Sequence, residues 1–295
     1  MGDHIVVARD QPLRARLERL AREPRLVFVA GLPGTGKSLV IHQLAHLAAG
    51  AGRSVHLLQW DVARPVFEAS DAARRYPIVE GVTHALIRKA VGLWARRALV
   101  EWERRCPGSE HLLVGETPLV GGRLIELARP VEDAAEPILA ARSCRFAIPV
   151  PSAEVRLFLE AERDRRTARP AHPREREDAH PRVLRSLWRE LLDVAGALGI
   201  PLASRGAEAP YDPSVYRRVY ETVLRHRHVD VVELDTVLPT SALSVYDFAV
   251  PCAELVPDAA EANAAVRDAE ARHPDAAALA REAAQWFSLG LSRAR

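Results

Sequence analysis

The feature that most constrains this chain is a glycine-rich stretch, AGLPGTGKSLV, at residues 30–40. It follows the short apolar run RLVFVA (25–30) and precedes the helical pattern SLVIHQLAHLAAG (38–50). A continuous apolar run of this length is typical of a parallel strand buried on both faces. The sequence therefore predicts a strand, a flexible turn and a helix in direct succession, as in an α/β fold.

The turn between them, which we call the glycine loop (residues 31–38), has the spacing G-x-x-x-x-G-K-[ST]. Glycines let successive backbone N–H groups surround the oxygens of a polyphosphate, and the positive end of the following helix faces the same anion. In this pattern the lysine reaches the β- and γ-phosphates and the hydroxyl ligates Mg²⁺. We therefore expect a site for ATP and Mg²⁺, with Ser38 as a metal ligand and with nucleotide contacts from Gly31, Pro33, Gly34, Thr35, Gly36, Lys37, Ser38 and Leu39.

The lysine in the loop stands out against the rest of the composition. Of 41 basic side chains, only Lys37 and Lys89 are lysines, and all the others are arginines. Lysine presents a compact point charge, whereas arginine presents a bulkier planar fork. A lysine retained at position 37 in so arginine-rich a chain favours a specific phosphate contact.

The remaining apolar runs indicate the rest of the architecture. Four of them alternate with helical patterns, at residues 54–61, 111–116, 145–150 and 229–235. Together with the first run they predict an α/β three-layer sandwich, in which helices cover both faces of a five-stranded parallel sheet. Since no shift in composition forces a second domain, we expect one domain over residues 1–295, with its core at about 25–247 and a helical C-terminal extension at about 248–295.

Composition limits the classes of partner. The chain has 41 basic and 39 acidic side chains and a net charge of +2, which argues against a nucleic-acid surface. No apolar run reaches membrane-spanning length, and the first twenty residues lack a signal-peptide core. The three cysteines lie far apart in no metal-like spacing and are expected to be buried in a reducing cytosol. We expect a cytoplasmic protein, and a homodimer stays open as an assembly state.

Three features beyond the glycine loop suggest a resemblance. Asp61 closes the second predicted strand, Glu116 closes the third, and an arginine-rich, proline-rich flap follows the fourth. With GLPGTGKS, these features resemble the P-loop small-molecule and nucleoside or nucleotide kinases over roughly residues 25–247. The resemblance implies a P-loop kinase-like sheet in the order 2-3-1-4-5, a lid at about 163–181, and transfer of the γ-phosphate of ATP to a small-molecule acceptor. No signature identifies that acceptor.

The resemblance also implies roles for acids at the strand ends. In similar kinases an acid at the position of Asp61 takes the proton from the acceptor hydroxyl, although an aspartate there also suits a helix N-cap. Glu116 is expected to hold Mg²⁺ through water or to orient the acceptor. Arg64 either binds an anionic acceptor or pairs with Asp61 or Glu68.

Further acceptor and lid residues follow from the same resemblance. Arg123 comes after a Gly-Gly pair and is a candidate acceptor ligand, and His84 is a second one, unless it only packs in a core helix. Arginines on a mobile lid would stabilise charge on the transferred phosphoryl group. Among those of the flap, Arg163 and Arg166 are favoured as catalytic because they lie at i and i+3 on one helix face. Residues 235–243 are placed to border the adenine ring.

A second function stays open on the sequence alone, namely a P-loop ATPase or NTP-driven switch that acts on a protein partner. A GTPase is disfavoured because the chain lacks an Asn-Lys-x-Asp motif, and an oligomeric motor ATPase because no apolar run ends in Asp-Glu. The carboxylates after the second and third strands and the polar flap after the fourth favour the kinase.

Overall fold

The computed structural model describes residues 4–79, 81–170, 172, 181–204, 206, 209–239, 248 and 250–288. Their strands form a single sheet in which every pair of neighbours is parallel. In chain order, the strands are β1 (Leu26–Ala30), β2 (Ser54–Leu58), β3 (His111–Thr117), β4 (Cys144–Pro151), β5 (Val229–Leu234) and β6 (Cys252–Glu254).

The sheet order is β5-β4-β1-β3-β2-β6. The predicted α/β class is confirmed, and the five predicted strands all form with the predicted neighbours. The prediction of five strands was wrong, however, because β6 pairs with the outer side of β2, with Cys252 beside Val55, inside what was predicted as a helical extension. A three-residue strand carries too little periodicity to be recognised, and it pairs here because the edge of β2 offers unpaired backbone groups.

Helices cover both faces of the sheet. No helix in the described ranges has the length and apolar content needed to cross a membrane. In chain order they are α1 (Pro12–Arg22), α2 (Lys37–Gly50), α3 (Trp60–Glu68), α4 (Ala85–Arg105), α5 (Glu136–Leu139), α6 (Ala153–Ala168), α7 (Pro181–Ala197), α8 (Pro213–Val223), α9 (Ala259–Arg272) and α10 (Ala276–Ala284).

Two hydrophobic cores lie on opposite faces of the sheet, and β1 separates them. Leu26, Phe28 and Ala30 belong to the core that contains residues of α4 and α8, whereas Val27 and Val29 belong to the core under α1 and α2. Successive strand side chains point to opposite faces, so a strand between two cores must be apolar at every position. This explains why the first apolar run is unbroken.

The centre of the sheet decides where the candidate site forms. β1 lies between β3 and β4, and the chain turns in opposite directions on the two sides of β1. In open parallel sheets, ligands bind at such a switch point, beyond the carboxyl ends of the strands. The glycine loop begins here, directly after β1. We call this end of the sheet, where the carboxyl ends of the strands lie, the carboxyl edge.

Local structure near this edge differs from the prediction at Asp61. β2 ends at Leu58, so Asp61 lies in the first turn of α3 instead of closing the strand. After β3, the chain forms two short 3-10 turns at residues 120–122 and 125–127. Leu119 and Leu124 have φ angles of 62° and 58° there, a region that leucine rarely adopts and that breaks a regular helix.

The predicted lid and adenine border are only partly described. Residues 171 and 173–180 of the predicted lid (163–181) lie outside the described residues, as do residues 240–243 of the predicted adenine border. Residues 163–168 of the predicted lid belong to α6. The N-cap of this helix is Ser152, whose hydroxyl accepts a hydrogen bond from the Val155 N–H at 3.2 Å.

Candidate functional site

The glycine loop has the backbone conformation that its glycines make accessible. Gly34 and Gly36 have φ angles of 73° and 85°, in the left-handed region that costs most other residues free energy. Gly36 is the N-cap of α2, and its carbonyl accepts from the Val40 N–H at 3.0 Å. The first N–H groups of α2 have no partner within the helix and are available to an anion.

Lys37 and Glu116, both predicted from the sequence, are brought together at the mouth of the loop. The Lys37 ammonium lies 3.3 Å from the Glu116 carboxylate and donates to the carbonyl of Leu32 at 3.1 Å. The lysine side chain is only 5% exposed. The parallel register that sets Val29 beside Glu116 puts this acid next to the end of β1. Ser38, the next residue of α2, is half-buried.

An arginine that the sequence analysis missed holds the loop from outside. Arg156, in the first turns of α6, donates from Nη1 to the carbonyls of Pro33 and Gly34 at 3.1 and 2.8 Å. Its Nε donates to Glu160 at 2.9 Å, and its side chain is 2% exposed. A buried guanidinium with both loop carbonyls as acceptors fixes the loop backbone. Among so many arginines, no sequence signal distinguished this one.

The loop is also held from beneath by α8. The Tyr216 hydroxyl lies 3.5 Å from the hydroxyl of Thr35, which donates to the Leu32 carbonyl at 2.8 Å. Burial raises the pKa of Tyr216 to about 12, so it stays protonated at neutral pH. A Cβ at Gly31 would lie 2.3 Å from that hydroxyl, so the glycine is also needed for packing.

The same helix supports the turn after β3. Tyr220, one helical turn beyond Tyr216, donates to the carbonyl of Pro118 at 3.1 Å. Both tyrosine rings are fully buried and pack with their centroids 4.9 Å apart. The sequence signal for these two tyrosines is their i, i+4 spacing on an amphipathic helix. This spacing indicates that they face the core, but it does not indicate which loops they contact.

A second group of charges, which we call the acceptor edge (Asp61, Arg64, Arg88 and Arg123), lies beside the loop after β3. Asp61 is 66% exposed, and its only ion pair among the described residues is with Arg64 at 3.9 Å. Arg64 also lies 3.6 Å from Glu68. Of the alternatives left open for Arg64, the structure shows the pairing, with both acids, and binding of an anionic acceptor stays a prediction.

Arg88 and Arg123 place two further guanidinium groups at the acceptor edge, on either side of Gly121. Each has its Nη1 3.1 Å from the position that a Cβ on Gly121 would take. Arg123 donates to the Val120 carbonyl at 3.0 Å, and Arg88 donates to the Gly121 carbonyl. Burial, and then the charge of Arg123, lowers the pKa of Arg88. The carboxylates of Glu190 and Glu126 act to raise the pKa of Arg88, so the positive charge here is partly compensated.

The pKa of Arg123 links it to the other charges of the acceptor edge. Burial lowers this pKa, Glu190 and Asp61 act to raise it, and Arg64 acts to lower it. Arg123 and Asp61, both predicted as acceptor residues, are therefore close enough to interact electrostatically. Arg88 was missed because its i, i+3 or i+4 neighbours on α4 show no polar stripe.

His84, a predicted acceptor ligand, makes contacts that stabilise the start of α4. Its Nδ1 accepts from the Leu86 N–H at 3.2 Å, which makes it the N-cap of α4. Its ring packs against Tyr76 with centroids 5.0 Å apart, and burial, followed by the charge of Arg88, lowers its pKa. A neutral imidazole at the start of α4 lies near the acceptor edge, and its role toward an acceptor stays a prediction.

The predicted catalytic arginines of the flap lie further along α6. Arg163 comes seven residues after Arg156, about 10 Å along the helix axis. Arg166 donates from Nε to Glu162 at 3.0 Å. Arg156 is the residue of α6 that donates to the carbonyls of the glycine loop. The catalytic roles of Arg163 and Arg166 stay predictions.

Gly115, next to the predicted metal-binding acid, is explained by packing. A Cβ at this position would lie 2.4 Å from Cδ1 of Phe28 on the neighbouring strand. The ring of Phe28 fills the space above β3, so the residue before Glu116 must be small.

Comparisons with protein-family models, with curated proteins and with solved structures found no match to this chain.

Proposed function

We propose that this protein is a Mg-ATP-dependent kinase that transfers the γ-phosphate to a hydroxyl or phosphate of a small-molecule acceptor. The observation that carries the proposal is the Lys37–Glu116 pair, 3.3 Å apart at the mouth of a loop whose glycines adopt left-handed conformations. A buried ammonium, a carboxylate and free helix N–H groups at one point are what a metal–polyphosphate needs.

The donor half of the reaction is assigned to the glycine loop. Lys37 would exchange its contact with Glu116 for the β- and γ-phosphate oxygens, and it would stabilise negative charge that develops during transfer. Glu116 would hold Mg²⁺ through water, together with the Ser38 hydroxyl. Arg156 and Tyr216 would keep the loop in position without touching the nucleotide.

The acceptor half is assigned to the acceptor edge. Asp61 is exposed and only weakly paired, so its carboxylate is accessible to the hydroxyl of an incoming acceptor and suited to accept its proton. Arg64 pairs with Asp61, Arg123 interacts with it electrostatically, and Arg88 lies beside Arg123. They support an acceptor that itself carries an anionic group, such as a phosphate or a carboxylate.

The test is an acceptor screen with the purified full-length chain and Mg-ATP. ADP release is measured with nucleosides, sugars and hydroxylated metabolites, each offered with and without a phosphate or carboxylate group, and products are identified by mass gain of one phosphoryl group. We expect acceptor-dependent ADP release, with the anionic member of the preferred pair favoured. Steady hydrolysis that no acceptor stimulates would instead support the ATP-driven switch that acts on a protein partner.

A further inference from the structure

Two histidines and a cysteine meet at the sheet edge opposite the glycine loop. His56 lies on β2, Cys106 is the C-cap of α4, and His111 is the first residue of β3. His56 Nε2 is 3.1 Å from His111 Nδ1 and 4.0 Å from Cys106 Sγ. All three ligand atoms lie within 4.8 Å of one another.

The backbone fixes this meeting point. In the β2–β3 register His56 pairs with Leu113, and His111 precedes Leu113 by two residues, so both imidazoles lie on the same face of the sheet. Two hydrogen bonds hold Cys106 near that face. Its N–H donates to the Trp102 carbonyl at 2.8 Å, and Arg25 donates to the Cys106 carbonyl. Arg53 donates to the His111 carbonyl at 2.7 Å.

The distances are close to those a metal imposes. For a tetrahedral zinc ion with bonds of about 2.1 Å to nitrogen and 2.3 Å to sulfur, the expected separations are about 3.4 Å between nitrogens and about 3.6 Å from nitrogen to sulfur. Here they are 3.1 and 4.0 Å. Small side-chain rotations therefore suffice to bring all three atoms onto one ion.

A neighbouring carboxylate favours the tautomer of His111 that metal binding requires. The carboxylate of Glu110 lies 3.6 Å from Nε2 of His111. A carboxylate on that side favours the proton on Nε2, which leaves the lone pair of Nδ1 directed toward His56 and Cys106. Metal-binding histidines in proteins are commonly oriented by a carboxylate in this way.

A second histidine cluster is less suited to the same role. One ring nitrogen from each of His4, His42 and His46 lies within 4.8 Å of the other two. The Gln43 amide nitrogen donates to the His4 carbonyl at 2.9 Å and lies 3.2 Å from Nδ1 of His42. His42 Nδ1 therefore accepts from an amide, and its proton resides on Nε2, so neither nitrogen offers a lone pair to a metal.

We propose that His56, Cys106 and His111 form a binding site for a zinc-class divalent metal ion, with a fourth position for water. The residue set is one thiolate and two imidazoles, which zinc prefers. All three residues are half-buried, so an ion can enter from solvent. The ligands come from β2, β3 and the end of α4. The bound ion would therefore connect these elements near the amino ends of the strands.

The first test is a titration of the untagged, reduced full-length chain with Co²⁺, read by absorption. Cobalt bound by a thiolate gives a near-ultraviolet charge-transfer band that cobalt bound by histidines alone lacks. We expect this band to saturate at one equivalent and to disappear when Zn²⁺ is added. Cobalt binding without the band would locate the ion at histidines only and would overturn the proposal.

Matched variants locate the thiolate. Cys106→Ser should abolish the band, whereas Cys252→Ser, which changes the other half-buried cysteine, should keep it. Persistence of the band in Cys106→Ser would contradict the assignment. Since Cys106→Ser could impair folding, the unaltered chain is also alkylated with and without Zn²⁺ and mapped by peptide mass. Zn²⁺ should slow modification of Cys106 at least tenfold, and unchanged modification would also overturn the site.

Discussion

The glycine loop and the acceptor edge lie side by side at the carboxyl edge of the sheet, but they are held very differently. The loop is fixed by buried side chains from three helices: Lys37 at the start of α2, which is itself a loop residue, Arg156 on α6 and Tyr216 on α8 are each at most 5% exposed. In the acceptor edge, Asp61 is 66% exposed and its ion pair with Arg64 is 3.9 Å long. Exposed pairs of this kind contribute at most about 1 kcal/mol.

This difference shows which half of the proposed reaction is built in advance. A rigid loop suits a phosphate chain, which is the same in every reaction, because preorganised donors need no rearrangement when charge develops. A loosely paired acceptor edge can exchange its internal contacts for those of an acceptor. The predictions below alter one region at a time, from the largest expected effect to the smallest.

Lys37→Ala removes the only ammonium at the loop and leaves the buried Glu116 without this partner. We expect phosphoryl transfer to fall by about 10³-fold or more, since loss of one preorganised donor alone costs about 10²–10³. The measurement is product formation under saturating Mg-ATP, with circular dichroism as a check on folding. A folded Lys37→Ala variant with undiminished transfer would remove the loop from the mechanism.

Asp61→Asn removes the proposed proton acceptor while keeping the size of the side chain. Transfer should fall by about 10²-fold, whereas affinity for ATP should stay nearly unchanged because the loop is untouched. The matched control is Asp71→Asn, since Asp71 is also exposed and pairs with an arginine three residues on. Full transfer activity in Asp61→Asn would show that the base assignment is wrong.

Gly115→Ala places a methyl group against the ring of Phe28 and so presses on the strand that carries Glu116. Overpacking of this kind costs about 1–3 kcal/mol in free energy of unfolding, which denaturant melts would measure. Phe28→Leu in the same chain should recover part of the loss. Gly50→Ala is the control, because nothing lies within 4 Å of its added Cβ. Equal costs at the two positions would contradict the packing account.

Arg156→Lys keeps the charge on α6 but gives up the geometry that reaches both loop carbonyls. Nucleotide affinity should weaken about tenfold, which corresponds to about 1.4 kcal/mol, with little change in affinity for the acceptor. Arg165→Lys, on the exposed side of the same helix, should leave both affinities unaltered. If the two variants behaved alike, the loop would not depend on Arg156 for its shape.

Much of this arrangement could be predicted from sequence because its signals are local. The five longer strands were visible as short runs rich in apolar residues, and the glycine loop was visible because its spacing and its neighbours agree. The parallel sheet then placed Glu116 near the end of β1. Lys37 and Glu116 could therefore be expected at one site.

The rest depends on contacts between distant parts of the chain. Arg156 is one arginine among many, and only the fold shows that it reaches the carbonyls of Pro33 and Gly34. Arg88 and Arg123 meet beside Gly121, in a turn where Leu119 and Leu124 adopt backbone conformations that no local propensity predicts. His56, Cys106 and His111 are up to 55 residues apart in sequence, so linear metal-binding spacing could not identify them.

The central claim is that the glycine loop binds a nucleoside triphosphate through Lys37, and calorimetric titration tests it most directly. A non-hydrolysable ATP analogue with Mg²⁺ is titrated into the unaltered chain, Lys37→Arg and Lys89→Arg. We predict one site per chain, at least tenfold weaker binding in Lys37→Arg, and unchanged affinity in Lys89→Arg, whose lysine pairs with Glu126 and Glu282 instead. No binding to the unaltered chain, or equal affinity in all three, would contradict the account.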